Sequence, residues 1–172
     1  MSAPDPTFAR VLPDGRFVFQ GRTLRCALGK GGVKPAAGKR EGDGATPAAR
    51  MMLRRVLFRA DRGPPPRCAV PVEPISPADG WCDDPAHRAY NRPVRLPFDA
   101  SHETLWRDEA VYDVIGVLGW NDDPVERGRG SAIFLHLARE DFRPTEGCVA
   151  LAPRDLRAVL EAGLRGLVVE PP

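Results

Sequence analysis

Lysine is scarce in this chain, occurring only at Lys30, Lys34 and Lys39, and Arg supplies the other positive charges. With 25 basic and 23 acidic residues the formal net charge is +2. No clustered basic face of the kind that nucleic-acid binding needs is visible, although the three lysines make Gly29–Gly44 locally basic. No apolar run reaches the length of a membrane-crossing helix. The first twenty residues carry Asp5, Arg10, Asp14 and Arg16 without an apolar core, so no secretory signal is visible in the sequence. The four cysteines, Cys26, Cys68, Cys82 and Cys148, form no Cys-x-x-Cys pair, which argues against a zinc ribbon. Cys68 and Cys82 are one conceivable disulfide, but spacing alone does not establish its geometry.

Aromatic residues are few, whereas 19 Pro and 17 Gly are many. Both punctuate regular structure, so many turns and few long helices are expected. The length of 172 residues suits one domain, residues 1–172, with a core of its own.

Phe8–Leu12, Pro13-Asp14-Gly15 and Arg16–Gln20 read as a hairpin, and the alternation of Thr23–Leu28 as a third strand. Gly29–Pro47 is expected to be an irregular loop. Met51–Arg59 admits strand or short helix, with Val56-Leu57-Phe58 favouring strand. Residues 71–100, rich in Pro and Asp, read as a long ordered loop, of the kind that often carries function. Ser101 is placed as the N-cap of a short helix through His102, Glu103, Leu105 and Trp106. Tyr112–Trp120 and Ser131–His136 read as strands. Pro153 suits the first turn of a helix that buries Leu156, Val159 and Leu160 and stops at Gly163, before a last strand at Leu167–Val169. The sum is a mainly β fold with one or two short helices.

The most informative feature is His136 at a strand end, followed after eleven intervening residues by Cys148 in Thr145-Glu146-Gly147-Cys148. An imidazole beside a thiol is the usual means of activating it as a nucleophile. Gly147, without a Cβ, lets the backbone approach a substrate. Each part has a plainer reading: most free cysteines are small buried hydrophobes, and a lone His at a strand end is more often structural. Together they point to acyl transfer through a cysteine thioester. Ser101-His102-Glu103 lacks the spacing of a catalytic relay, and no Gly-x-Ser-x-Gly elbow exists. Cys82-Asp83-Asp84 with His87 lacks a standard metal spacing, and Gly32–Arg40 fails as a phosphate loop because Arg40 replaces the Ser/Thr.

The chain resembles the L,D-transpeptidase (YkuD-type) family, in particular its short single-domain members. The resemblance rests on His136 and Thr145-Glu146-Gly147-Cys148, on Lys39–Pro47 with its Thr46-Pro47, on Trp81–Pro85, on Tyr90-Asn91, and on Gly130–His136. It spans about Arg16 to Leu160. It implies a YkuD-like sandwich or barrel-like mixed sheet. It implies Cys148 as nucleophile, His136 as base and acid, and the N–H groups of Gly147 and Cys148 as the oxyanion donors. Tyr90, Asn91, Trp120 and Asn121, with Thr145 and Glu146, are expected to line the substrate groove. No metal or cofactor is implied. The implied partners are peptidoglycan stem peptides, as donor and acceptor of a 3→3 cross-link, and the implied location is the periplasm or cell envelope. Water as acceptor would make the enzyme an L,D-carboxypeptidase or another stem-amide hydrolase, and a non-catalytic peptidoglycan-binding module is the third reading. A catalytic Cys148 with a depressed pKa is expected to alkylate faster than the other three thiols. The chain departs from the family pattern at Glu146, where many members have His, and at Ala150, where many have Arg or Asn. It departs again at Ala49, where a Gly often follows Thr-Pro.

Overall fold

A computed structural model describes residues 5–172. Strand β1 (Phe8–Val11) and strand β2 (Arg16–Phe19) form the expected hairpin, with Gly15 in a left-handed turn conformation at φ +86°. Gln20 and Gly21 both take positive φ, as a tight two-residue hairpin turn demands, and lead into β3 (Arg22–Ala27). The following glycine-rich stretch is not wholly irregular. Gly31 N–H bonds Gly44 O and Thr46 N–H bonds Gly32 O, which aligns β4 (Val33–Pro35) with β5 (Thr46–Ala48) as a short parallel pair.

β6 (Arg50–Phe58) is a strand, as Val56-Leu57-Phe58 suggested; Met51 and Leu53 point inward between exposed Arg50, Met52 and Arg54. Residues 71–100 contain three short strands rather than loop alone: β7 (Val72–Pro74), β8 (Asp79–Cys82) and β9 (Pro93–Arg95). The helix expected after Ser101 is instead strand β10 (His102–Thr104). Its backbone pairs with β8, His102 opposite Cys82 and Glu103 opposite Trp81, and this non-local ladder overrides the local capping signal. Residues Ala110–Tyr112 form a single 3₁₀ turn ahead of β11 (Val114–Leu118). β12 (Phe134–Leu137) starts later than Ser131, and β13 (Val149–Leu151) follows the Cys148 loop. Helix α1 (Pro153–Glu161) begins with Pro153, buries Leu156, Val159 and Leu160, and ends before Gly163 at φ +92°. β14 (Gly166–Val169) closes the chain.

The main sheet runs β11-β12-β13-β3-β2-β1-β14-β6, and β6 pairs back with β11, so the sheet closes on itself like a barrel. β7 extends one edge of β6, and β8, β9 and β10 form a separate three-stranded sheet. Two cores follow from the alternation of the barrel strands. Val114, Leu118, Leu135, Leu137, Val149 and Leu151 pack inward with the apolar face of α1. Ile115, Val117 and Phe134 face outward and pack with Trp81, Leu105, Tyr112 and Cys148. The candidate site lies on this second, outward face.

Candidate active site

β12 and β13 run parallel, with Leu135 opposite Val149 and His136 opposite Ala150. Because β12 alternates, Leu135 and Leu137 enter the barrel and His136 takes the outward face with Phe134. Cys148 stands immediately before β13. His136 and Cys148, both buried, line one cavity of about 150 Å³ with Glu103, Arg107, Tyr112, Arg139 and Thr145.

The thiol of Cys148 donates to Ala132 O at 3.3 Å, and Phe134 N–H donates to its Sγ at 3.4 Å. No hydrogen bond joins it to His136 among the described residues. His136 Nδ1 lies 3.0 Å from Leu137 O. A carbonyl can only accept, so Nδ1 carries the proton and Nε2 keeps its lone pair. The ring of Tyr112 meets the imidazole edge to face, with centroids 5.3 Å apart.

Both groups are neutral in this site. Burial, followed by the negative charge of Glu103, pushes the Cys148 thiol up to about 12. Burial, with the cations Arg107 and Arg139, pulls His136 down to about 4. The substrate-free site therefore does not hold a thiolate, contrary to the expectation of a depressed pKa. Glu103 is itself pushed up by burial, while the Tyr112 hydroxyl, which donates to its Oε2 at 2.6 Å, and Arg107 act in the opposite sense.

The Thr145–Cys148 loop is tied at every residue. Thr145 N–H donates to Leu28 O, and Lys30 N–H to Thr145 O. Thr145 Oγ1 donates to Cys148 O at 2.7 Å and accepts from Gly147 N–H at 3.1 Å. One of the two expected oxyanion donors is thus already engaged. Gly147 takes φ +137°, and a Cβ there would stand 2.9 Å from Ala45 O. This close contact brings the segment before Thr46-Pro47 against the Cys148 loop. Glu146 turns its carboxylate to Lys30 Nζ at 2.8 Å, with its side chain 77% exposed. The carboxylate acting on the thiol is Glu103, not the sequence neighbour Glu146.

Tyr90, Asn91, Trp120 and Asn121 are not in the lining of the Cys148 cavity. Asn91 accepts from Trp81 Nε1 and Ala132 N–H and donates to Trp120 O and Asn121 O, which saturates its amide. Tyr90 OH donates to Glu41 and accepts from Gly130 N–H, and Trp120 Nε1 and Asn121 Nδ2 bond the Glu126–Gly130 segment. Together they fix the chain entering β12, and with it the Ala132 carbonyl that meets Cys148. Thr145 and Glu146 do border the cavity.

Glu103, Arg107, Tyr112 and Arg139 are cavity residues that sequence reasoning missed. The local sequence places Glu103 in a helix start, and only its pairing opposite Trp81 brings it to the site. All four cysteines are free thiols, so Cys68 and Cys82 do not pair. His87 Nδ1 accepts from Ala89 N–H in a local turn.

The closed β sheet thus carries a buried cysteine and a buried histidine on one outward face, lining one cavity. The family model of the L,D-transpeptidase catalytic domain, YkuD, matches residues 3–170, and the chain belongs to that family. No curated protein and no solved structure matches the chain.

Proposed function

We propose that the protein is a cysteine L,D-transpeptidase acting on peptidoglycan stem peptides, with Cys148 as nucleophile and His136 as general base. The observation that carries this reading is the shared cavity: an imidazole with Nε2 unprotonated on β12 and the thiol immediately before the neighbouring parallel strand β13 both line it.

With both groups neutral, attack is coupled to proton transfer rather than launched from a preformed ion pair. On substrate binding the thiol turns from Ala132 O toward His136 Nε2. Sγ attacks the carbonyl carbon of the amide between the third stem residue and the terminal D-Ala, and its proton passes to Nε2. The tetrahedral oxyanion is met by the N–H of Cys148, and by that of Gly147 once Thr145 Oγ1 releases it. Removing one donor of this kind typically costs about 10²–10³ in rate. The C–N bond then breaks, His136 protonates the departing amine, and a thioester remains on Cys148. The side-chain amine of a second stem attacks the thioester carbonyl and loses its proton to His136, giving a 3→3 cross-link and the free thiol. Thr145 and Glu146 border the donor path, and Tyr90, Asn91, Trp120 and Asn121 act on it through the loop they secure. No helix among the described residues is long and apolar enough to cross a membrane. The substrate sets the place of action in the periplasm or cell envelope.

The test is mass spectrometry of the protein incubated with disaccharide-tetrapeptide, with Cys148→Ala as control. Loss of D-Ala together with Cys148-dependent dimers supports the transpeptidase. Tripeptide without dimers, with a competent acceptor present, assigns water as the acceptor instead.

A further inference from the structure

Two arginines reach the cavity that holds Cys148 and His136, and they are not equivalent. Arg107 is fully engaged: Nε donates to Thr104 O, Nη2 approaches Glu103 at 3.4 Å, Nη1 stands 3.6 Å from Glu109, and the guanidinium lies over the Tyr112 ring. Arg139 is engaged at one nitrogen. Its Nη2 is held by both oxygens of Glu109 at 2.9 and 3.1 Å, and its buried Nε has no partner. Its side chain is 29% exposed, and it stands where the small cavity meets a larger open one of about 790 Å³. Three residues after His136, it is carried to the site by the strand that positions the base.

A donor whose scissile bond precedes a terminal D-amino acid brings an α-carboxylate within a few ångströms of the attacking sulfur. That charge enters a partly buried space beside Glu103 and needs a cation with unspent donors. We propose that Arg139 receives the α-carboxylate of the terminal D-amino acid and so makes the site select donors with a free C-terminus; this rests on the transpeptidase reading. Glu109 holds the guanidinium in place, and Arg107 fixes Glu103 and Tyr112.

The experiment compares wild type, Arg139→Gln and Arg139→Lys on a stem tetrapeptide with a free D-Ala carboxylate and on the same peptide with a C-terminal carboxamide. In parallel, the alkylation rate of Cys148 by iodoacetate is divided by its rate with iodoacetamide, at one pH, read on the Cys148 peptide. The ratio cancels any change in thiol ionisation. Arg139→Gln is expected to lower kcat/KM for the acid about 10–100-fold, mainly through KM, to lower that for the carboxamide far less, and to lower the iodoacetate ratio. Arg139→Lys, which keeps the charge without the planar fork, is expected to fall between, and it decides the question if the Gln variant does not fold. Equal losses on both peptides overturn the proposal, as does an unchanged acid-to-amide preference. If wild type releases neither D-Ala from the acid nor D-alaninamide from the carboxamide, the transpeptidase reading fails by itself. The iodoacetate ratio then still decides whether Arg139 attracts anions to Cys148: a fall retains the anion site, and no change removes it.

Discussion

The thiol of Cys148 donates to the carbonyl of Ala132, and Ala132 holds a left-handed backbone at φ 52°. A non-glycine residue in that region is strained, and it is kept there by Asn91, whose Oδ1 accepts the Ala132 N–H at 3.1 Å. The Cys148 thiol therefore rests on a carbonyl aimed by a strained turn, with the protonated form of sulfur as its stable state. Alkylation of Cys148 by iodoacetamide is expected to rise steadily with pH through the alkaline range, without a plateau near neutrality. The half-exposed Cys68 is expected to react first. A fast, pH-independent reaction of Cys148 near pH 7 would contradict this picture.

Glu103 raises the thiol through its charge, so removing that charge should lower it. Glu103→Gln keeps an acceptor for the Tyr112 hydroxyl. It is expected to speed alkylation of Cys148 several-fold at a fixed mildly alkaline pH while leaving Cys68 unchanged, as measured by peptide mass spectrometry. An unchanged rate at Cys148 would remove Glu103 from its electrostatic environment.

Much of the frame is legible locally. The β1–β2 hairpin, β6 and the Pro153-to-Gly163 helix declare themselves through turn residues, β-branched runs and helical spacing within a few residues. The Thr-Glu-Gly-Cys loop and its histidine are likewise written in one short segment. What could not be read is long-range pairing. β10 resembled a helix start because Ser101 and the residues after it carry a capping pattern, whereas its structure comes from β8, about twenty residues earlier. The cavity inherits the same limit, since Glu103, Tyr112 and Arg139 meet only after β8–β10 and β11–β12 have paired. The orientation of Glu146 was equally hidden: its partner Lys30 is more than a hundred residues away.

Gly147 is expected to tolerate no side chain. Its φ of +137° is open to glycine alone, and the obstacle is the backbone oxygen of Ala45, which a rotamer change cannot relieve. Gly147→Ala should lower stability by about 1–3 kcal/mol in denaturant titration and abolish D-Ala release. A variant with wild-type stability would show that the loop relaxes freely.

Thr145 ties both ends of the loop through one hydroxyl. Thr145→Val keeps the shape but leaves the Gly147 N–H and Cys148 C=O without that partner. A loss of about 1–3 kcal/mol is expected in thermal or chemical unfolding, because unpaired buried polar groups keep their desolvation cost. Thr145→Ser should retain most of the stability.

His136 is pulled down to about 4 by burial first and by Arg107 and Arg139 second. The unfolded chain takes up this proton near pH 6.5 and the folded chain only near 4, so the neutral ring's contribution is complete above pH 6.5 and is lost as pH falls toward 4. His136→Gln lacks the titration. Between pH 7 and pH 4 the wild type is expected to lose about 3 kcal/mol more stability than this variant. Parallel losses would show that the imidazole charges without penalty in the folded state.

The most direct test of the central claim is the intact mass of the protein during turnover of disaccharide-tetrapeptide. A transient adduct equal to the donor less D-Ala, mapped to Cys148 and absent in Cys148→Ala, is the predicted result. D-Ala release that persists in Cys148→Ala would contradict the account.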